Sequence, residues 1–285
     1  MSEVLDLANA RAAKWSTSKS ITSRRGEMSD LPGTKTGIPC TEAEWNMRVN
    51  LAAALRLAAL YGWDEINLAH MSARAPDCPT HILIHGGGLF FEEVTASNLH
   101  CLDENGAHVR PSADMPHRFA LPFHREIYDR FSAANCIIHL HTRAATAIAM
   151  QKQGLLMGSQ YALFLGPIGY HDYLGLFSTP DEGSRLAQSF GSGQIVLQRG
   201  HGFVVWGHSV HEAFLLAFFL NRACETQVMS GTGAGALDPY IPPQDVIDVT
   251  AKQARSLIDG TQPFTKAAWA GLLRKLDRES PGYRL

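Results

Sequence analysis

The chain is predicted to fold as an α/β protein: one domain with a central β-sheet covered by helices on both faces. Three observations predict this. Capped helical segments alternate with short β-rich runs along the length of the chain. One of those runs, Cys136-Ile137-Ile138, is continuously apolar, as a strand buried on both faces requires. No internal repeat or low-complexity tract divides the sequence, apart from one glycine-rich stretch near residue 231.

The elements follow in order. Residues 1–38 carry Lys14, Lys19, Arg24 and Arg25 among serines and threonines and read as a flexible N-terminal extension. An organelle transit peptide is the competing reading, weakened by Glu3, Asp6 and Glu27. Thr41-Glu42-Ala43-Glu44 is a capping box that opens a helix over 42–61, closed by Gly62. Strand signals follow at 64–75 and 81–91, then a helix at 116–131. The apolar strand ends in His139-Leu140-His141 and turns into a helix reaching about residue 152. Strand-like segments come next, near 160–165 and 168–173. Thr179-Pro180-Asp181-Glu182 combines an N-cap, a first-turn proline and an acidic third position, and Gly191 closes that helix. A β-rich run broken by Gly200-His201-Gly202 precedes a second capping box, Ser209-Val210-His211-Glu212, and a mostly apolar helix to about 229. A linker at 231–235 leads to helices near 243–258 and 265–278. The expected division is therefore an extension (1–38), the main domain (39–230), and a linker with C-terminal helices packed on that domain (231–285).

The bulk properties narrow the function. The 285 residues give ample material for a core, and the formal net charge is −2 with no basic stripe, which excludes nucleic acid as an expected partner. No apolar run approaches the roughly 20 residues that a membrane span needs. Five cysteines without CxxC spacing point to free thiols in a reducing, cytoplasmic compartment.

The chemistry lies in the histidines. In an extended strand, residues i and i+2 point to the same face, so His139 and His141 can converge on one point. Imidazole pairs of this kind suit a divalent metal. A third ligand must come from elsewhere, and His201 is the best candidate, because flanking glycines let the backbone bend and leave one imidazole projecting. A turn histidine in a hairpin is the competing reading of His201.

The ordered segments resemble the class II aldolase/adducin head-domain family over about residues 43–230. The motifs that carry the resemblance are Ile66-Asn67-Leu68-Ala69-His70-Met71-Ser72-Ala73-Arg74, Leu83-Ile84-His85-Gly86-Gly87-Gly88-Leu89, and His124 with Tyr128. Further ones are His139-Leu140-His141-Thr142, Tyr170-His171-Asp172-Tyr173, and Gly200-His201-Gly202 with Glu212-Ala213-Phe214. The resemblance implies a divalent metal on His139, His141 and His201, zinc first, with iron(II) or manganese as alternatives. It also implies a homotetramer with sites at subunit borders and a small-molecule substrate.

One departure matters. Class II aldolases carry an acid/base glutamate upstream of the His-x-His pair. Nineteen residues before His139 this chain has Ala120, and no carboxylate lies between Asp114 and Glu126. The missing base would be worth on the order of 10²–10⁴-fold in rate. This places the chain with the adducin-like branch, which also lacks the glutamate and contains both cytoskeletal scaffolds and enzymes. A scaffold has no reason to keep three convergent histidines, so an enzyme is expected. The expected reaction is C–C cleavage, by decarboxylation or aldol chemistry, of a hydroxy or keto carboxylic acid (an aromatic one among the options) through a metal-stabilised enolate. An iron-dependent oxygenase on an aromatic hydroxy or keto acid is the first alternative, and a non-catalytic scaffold the second.

Other roles follow from the same resemblance. Tyr161 falls near the position of an aldolase tyrosine acid that acts across a subunit boundary. His70 falls where aldolases have the substrate-contacting asparagine of a Gly-Asn-x-Ser motif, with Ser72 two residues on, and His85-Gly86 matches their phosphate-contacting Thr-Gly turn. These suggest a carboxylate- or phenol-bearing substrate more than a sugar phosphate. His171 is a candidate pocket residue, with a strand-bridging role as the competing reading. His124 has a hydrogen-bonding post as its competing role. His81, His100, His108, His208 and His211 read as surface or cap residues.

Overall fold

The computed structural model describes residues 38–112, 114–117, 120–175, 181–231 and 239–285. The extension expected over 1–38, the Thr179-Pro180 cap and the glycine-rich linker lie, save for their bordering residues, outside these. Within them the chain runs α1 (Glu42–Leu60), β1 (His70–Ala75), β2 (Cys78–Ile84), a 3-10 turn (Phe91–Glu93), β3 (His100–Leu102), α2 (Leu121–Arg130) and β4 (Cys136–Leu140). It continues through α3 (Arg143–Ala149), α4 (Gln160–Leu163), β5 (Ile168–His171), α5 (Glu182–Ser189), β6 (Ile195–Gln198) and β7 (Gly202–Gly207). Three helices close it: α6 (Val210–Met229), α7 (Gln244–Ile258) and α8 (Pro263–Glu279).

The capping boxes read from sequence operate as such. Thr41 Oγ accepts from Glu44 N at 3.1 Å, and Ser209 Oγ accepts from Glu212 N at 3.2 Å. Gly62, with φ +67°, follows the end of α1. Elsewhere local signals overrode the pattern. The strand expected at 160–165 is instead the short helix α4, because Ser159 Oγ caps Ala162 N at 3.2 Å and starts a helical turn. The helix expected from 116 begins at Leu121, with Pro122 in its first turn. β3 has only three residues, too few for an alternation to register in the sequence.

The seven strands form one mixed sheet in the order β3-β2-β1-β4-β7-β6-β5. All neighbours are antiparallel except β5 and β6. The registers fix which side chains share a face: His70 lies opposite His139, Ser72 opposite Ile137, and Val204 opposite His139. Period-two alternation then splits the core in two. On one face Met71, Leu83, Ile138, Leu140, Leu197, Phe203 and Val205 pack with residues of α1, α3, α6 and α8. On the other, Ile82, Ile137, Val196, Val204 and Trp206 pack with Ile127 and Tyr128 of α2 and Leu186 of α5. Helices thus cover both faces, as expected. No helix among the described residues is long and apolar enough to cross a membrane.

Candidate metal centre

The histidines of β1 and β4 fall on the face covered by α2 and α5, in step with Ser72 and Ile137. His139 is the last residue but one of β4, and His141 follows where the chain leaves the sheet for α3. His201 arrives from the tight turn between β6 and β7. That turn needs both of its glycines. Gly200 adopts φ +65°, and a Cβ on Gly202 would stand 2.4 Å from the Leu140 carbonyl oxygen and 2.8 Å from His141 Cδ2. The bend is the role the sequence suggested for these glycines; that Gly202 also lets the turn lie close against Leu140 and His141 is seen only in the fold.

The ligand nitrogens of His139, His141 and His201 lie within 4.8 Å of one another, the only such group of metal-binding side chains among the described residues. Their ring centroids are 4.5 Å (139–141), 5.1 Å (139–201) and 4.6 Å (141–201) apart. His139 Nδ1–H donates to the Phe203 carbonyl at 2.9 Å, which turns its Nε2 lone pair towards His141 Nε2, 2.7 Å away. Two imidazole nitrogens at that separation share either one proton or one cation. His141 Nδ1 meets Glu65 Oε2 at 3.2 Å. The arrangement is the carboxylate–histidine support that fixes ring orientation at metal sites. Burial holds His139 well below its ordinary pKa, and brings His141 and His201 down to about 4. All three rings are therefore neutral near pH 7, the form that binds a metal. The donor set fits a divalent ion: three neutral imidazoles, two of them held at Nδ1, with no protein carboxylate among the ligands.

Four more histidines extend the cluster. The His70 ring centroid lies 4.6 Å from that of His139, 4.8 Å from His124 and 5.0 Å from His117, and His117 lies 5.2 Å from His85, all tilted or edge-on. His85 is fully buried, pushed down to about 3 by desolvation, and its Nε2 has no hydrogen-bond partner. Gly86 leaves room beside it for His100, whose Nε2 would stand 3.4 Å from a Cβ there.

The loop between α1 and β1 closes this side of the site. Asn67 Nδ2 donates to Gly87 O at 2.8 Å, while His117 Nε2–H donates to Asn67 O at 3.0 Å. Between Glu65 and Asn67, Ile66 takes φ +53°, the only positive φ outside glycine among the described residues. For a β-branched residue this is strained, at a cost on the order of 1–3 kcal/mol, and such strain concentrates at functional sites. Ile66 and Leu68 are left exposed, at 69% and 61%.

The remaining expected residues fall in different places. Ser72 is fully buried, its hydroxyl occupied by His124 Nδ1 at 2.6 Å and Tyr128 Oη at 2.9 Å. His171 is buried beneath the site, its Nε2 on Glu182 Oε1 at 2.7 Å and its Nδ1 on Ser189 Oγ at 3.0 Å. Tyr161 sits apart from the histidines within the chain; its ring, partly exposed, stacks 6.3 Å from Phe219 of α6. His100 corrects the surface reading: it is 5% exposed and stacked on His108 at 5.0 Å, because β3 turns it inward. Glu65 and His117 were not singled out from the sequence, and Asn67 entered only as part of the His70 motif. Glu65 borders that motif, His117 carried no local signal, and the loop fold was needed to bring Glu65 to a residue 76 positions away.

Comparison with known proteins agrees with this geometry. The family model of the class II aldolase and adducin N-terminal domain matches residues 49–228. The chain belongs to that family. It is 38% identical over 243 residues to a Pseudomonas aeruginosa protein provisionally assigned to aldolase class 2, covering 85% of this chain and 93% of the other. It is 35% identical to rat alpha-adducin over 237 residues, 82% of this chain but only 32% of the adducin. Among solved structures, an aldolase II superfamily protein from Pseudomonas syringae superposes with a TM-score of 0.80 at 34% identity, covering 86% of this chain and 98% of the other. The family therefore contains both aldolases and adducins, and the site must argue which kind of protein this is.

Proposed function

We propose that this chain is a divalent-metal-dependent carbon–carbon lyase acting on a hydroxy or keto carboxylic acid, with decarboxylation favoured over aldol cleavage. One observation carries the reading: three neutral histidines converge on one point, two of them held from behind, while Ala120 stands buried where an aldolase base is expected. His139, His141 and His201 would hold a divalent ion, which would supply the positive charge that enolate-forming C–C cleavage needs. Decarboxylation reaches that enolate without a base to strip a hydroxyl proton, so the chemistry tolerates Ala120.

The chain's other residues bind and orient. His70, next to His139, offers an N–H group to substrate carboxylate or phenolate oxygens, while His85, whose Nδ1–H donates to the Gly86 carbonyl at 3.0 Å, presents its unpartnered Nε2 as an acceptor for a substrate hydroxyl. Gly86 keeps the turn beside His85 open. Ile66 and Leu68 at the rim suit an apolar or aromatic body. Tyr161, whose ring is partly exposed, is assigned to the site of a neighbouring subunit in a homotetramer, where its phenol delivers the proton that replaces the lost carboxyl group. Zinc is the first choice of metal. Iron(II) or manganese on the same three nitrogens is the alternative, and iron would supply oxygenase chemistry instead.

The test is the metal content of anaerobically purified protein, followed by turnover of hydroxy and keto acids with and without aromatic groups. Near-stoichiometric zinc with carbon dioxide release from one of these acids is expected. Stoichiometric iron with substrate-dependent oxygen uptake would replace the lyase with the oxygenase. No metal bound after each ion is supplied would leave a scaffold.

A further inference from the structure

Behind the metal ligands, between β1 and α2, lies a closed chain of four polar side chains. His70 Nδ1 meets His124 Nε2 at 2.9 Å, His124 Nδ1 meets Ser72 Oγ at 2.6 Å, and Ser72 Oγ meets Tyr128 Oη at 2.9 Å. Exposure is 7% for His70, 0% for Ser72, 1% for His124 and 2% for Tyr128, so water does not supply alternative partners. Arg74 seals the far end, its guanidinium 4.5 Å over the Tyr128 ring and its Nε donating to the Ala134 carbonyl.

The chain has a direction. Among the described residues the one hydrogen-bond partner of Tyr128 Oη is Ser72 Oγ, and a buried phenol proton must be given to it or go unpaired. Ser72 has a single proton, which then goes to His124 Nδ1. Burial brings His124 down to about 3, so its ring is neutral and its one proton resides on Nε2. That proton is donated to His70 Nδ1, whose lone pair is thereby used. The neutral His70 ring must carry its own proton on Nε2. The opposite polarity would begin with His70 Nδ1–H and end with a phenol proton that has no acceptor.

We propose that Tyr128, Ser72 and His124 form a one-way hydrogen-bond chain that fixes His70 as an Nε2–H donor, making it the group that holds a negatively charged substrate oxygen beside the metal. The donor cannot become an acceptor without stranding a buried proton at Tyr128. His70 therefore stabilises an oxyanion and does not stand in as the base missing at Ala120. Tyr128, Ser72 and His124 are positioning residues, which touch the substrate only through His70. The substrate role rests on the lyase reading, but the tautomer does not.

Two measurements keep these apart. Solid-state NMR of microcrystalline protein with ¹⁵N-labelled histidine reads the tautomer directly, with the His70 resonances assigned by their loss in His70→Gln. The wild type is expected to show His70 as the Nε2–H form. In Ser72→Ala that preference is expected to collapse to a mixture, whereas Tyr128→Phe leaves Ser72 giving its proton to His124 and should keep it. An Nδ1–H form in the wild type, or an unchanged tautomer in Ser72→Ala, would overturn the proposal. Calorimetric titration of the zinc-loaded protein with oxalate, a planar dianion resembling an enediolate, tests the oxyanion role. At unchanged zinc content, affinity is expected to fall about tenfold in His70→Phe, in line with the loss of one charge-assisted hydrogen bond, and about twofold in Ser72→Ala, in line with a halved population of the donor tautomer. Unchanged affinity would refute that role. Failure to find any carbon dioxide release would sink the lyase reading while leaving the tautomer result standing.

Discussion

The two faces of the sheet are built from the same strands, and both carry apolar packing, but only one carries the histidine cluster. Under α1, α3, α6 and α8 the strand residues are Met71, Leu83, Ile138, Leu140, Phe203 and Val205, packed against aromatic side chains such as Phe214 and Trp269. Under α2 and α5 the same strands present His70, Ser72 and His139, one residue out of step, alongside the smaller apolar cluster of Ile82, Ile137, Val204 and Trp206. A single residue of register separates the larger apolar core from the face that also carries the histidines. The contrast shows that stability and function are divided by face: one is set by volume and area, the other by the directions of a few ring nitrogens.

Mutations should separate the two. The largest effect is expected from His139→Ala, which removes a ligand: bound metal measured by mass spectrometry should drop from near one per chain to near zero, and turnover should vanish with it. Retention of stoichiometric metal would mean that the three histidines are not the site. On the other face, Phe214→Ala should destabilise the fold by about 3–5 kcal/mol in urea titration while leaving metal stoichiometry intact, because it opens a cavity far from the ligands. If metal binding were lost at urea concentrations where that variant is still folded, the faces would be coupled and the division would fail.

Acid probes the histidine face selectively. Burial depresses His85 and His124 to about 3 and His100 to about 4, below the ordinary value near 6.5 of the unfolded chain. As pH falls below about 6.5 the unfolded state takes up protons that the folded state refuses, so stability is full above that pH and lost progressively towards 3–4. Urea midpoints of the metal-free protein should fall steeply between pH 6.5 and 4. A flat profile there would show that these rings protonate without cost.

Smaller effects sharpen the comparison. Glu65→Gln removes the carboxylate behind His141, and metal affinity in a chelator competition should weaken by about 10–100-fold. An unchanged affinity would reduce Glu65 to a surface residue. At the quiet end, Lys275→Ala breaks an exposed i,i+4 pair on α8 and should cost no more than about 0.5 kcal/mol.

The sequence by itself determined the helix starts at Thr41 and Ser209, the helix–strand alternation, and the convergence of His139 with His141. Each is local: a side chain within three residues of the backbone it caps, or two rings two positions apart on a strand. The glycines around His201 announced a sharp turn, though not its approach to His141, which depends on β7 pairing with β4. Tertiary structure alone decided the rest. Ser72 was legible as polar and close to His70, but only α2, folding back over the sheet, supplies His124 and Tyr128 and takes its hydroxyl away from the site. Ser159 turned an apolar run into α4, because one capping bond outweighed a weak strand pattern. Glu65 reached His141 through a strained loop that no local rule favours. Contacts between residues far apart in sequence carry no periodic signature, and here they set the direction in which each imidazole holds its proton.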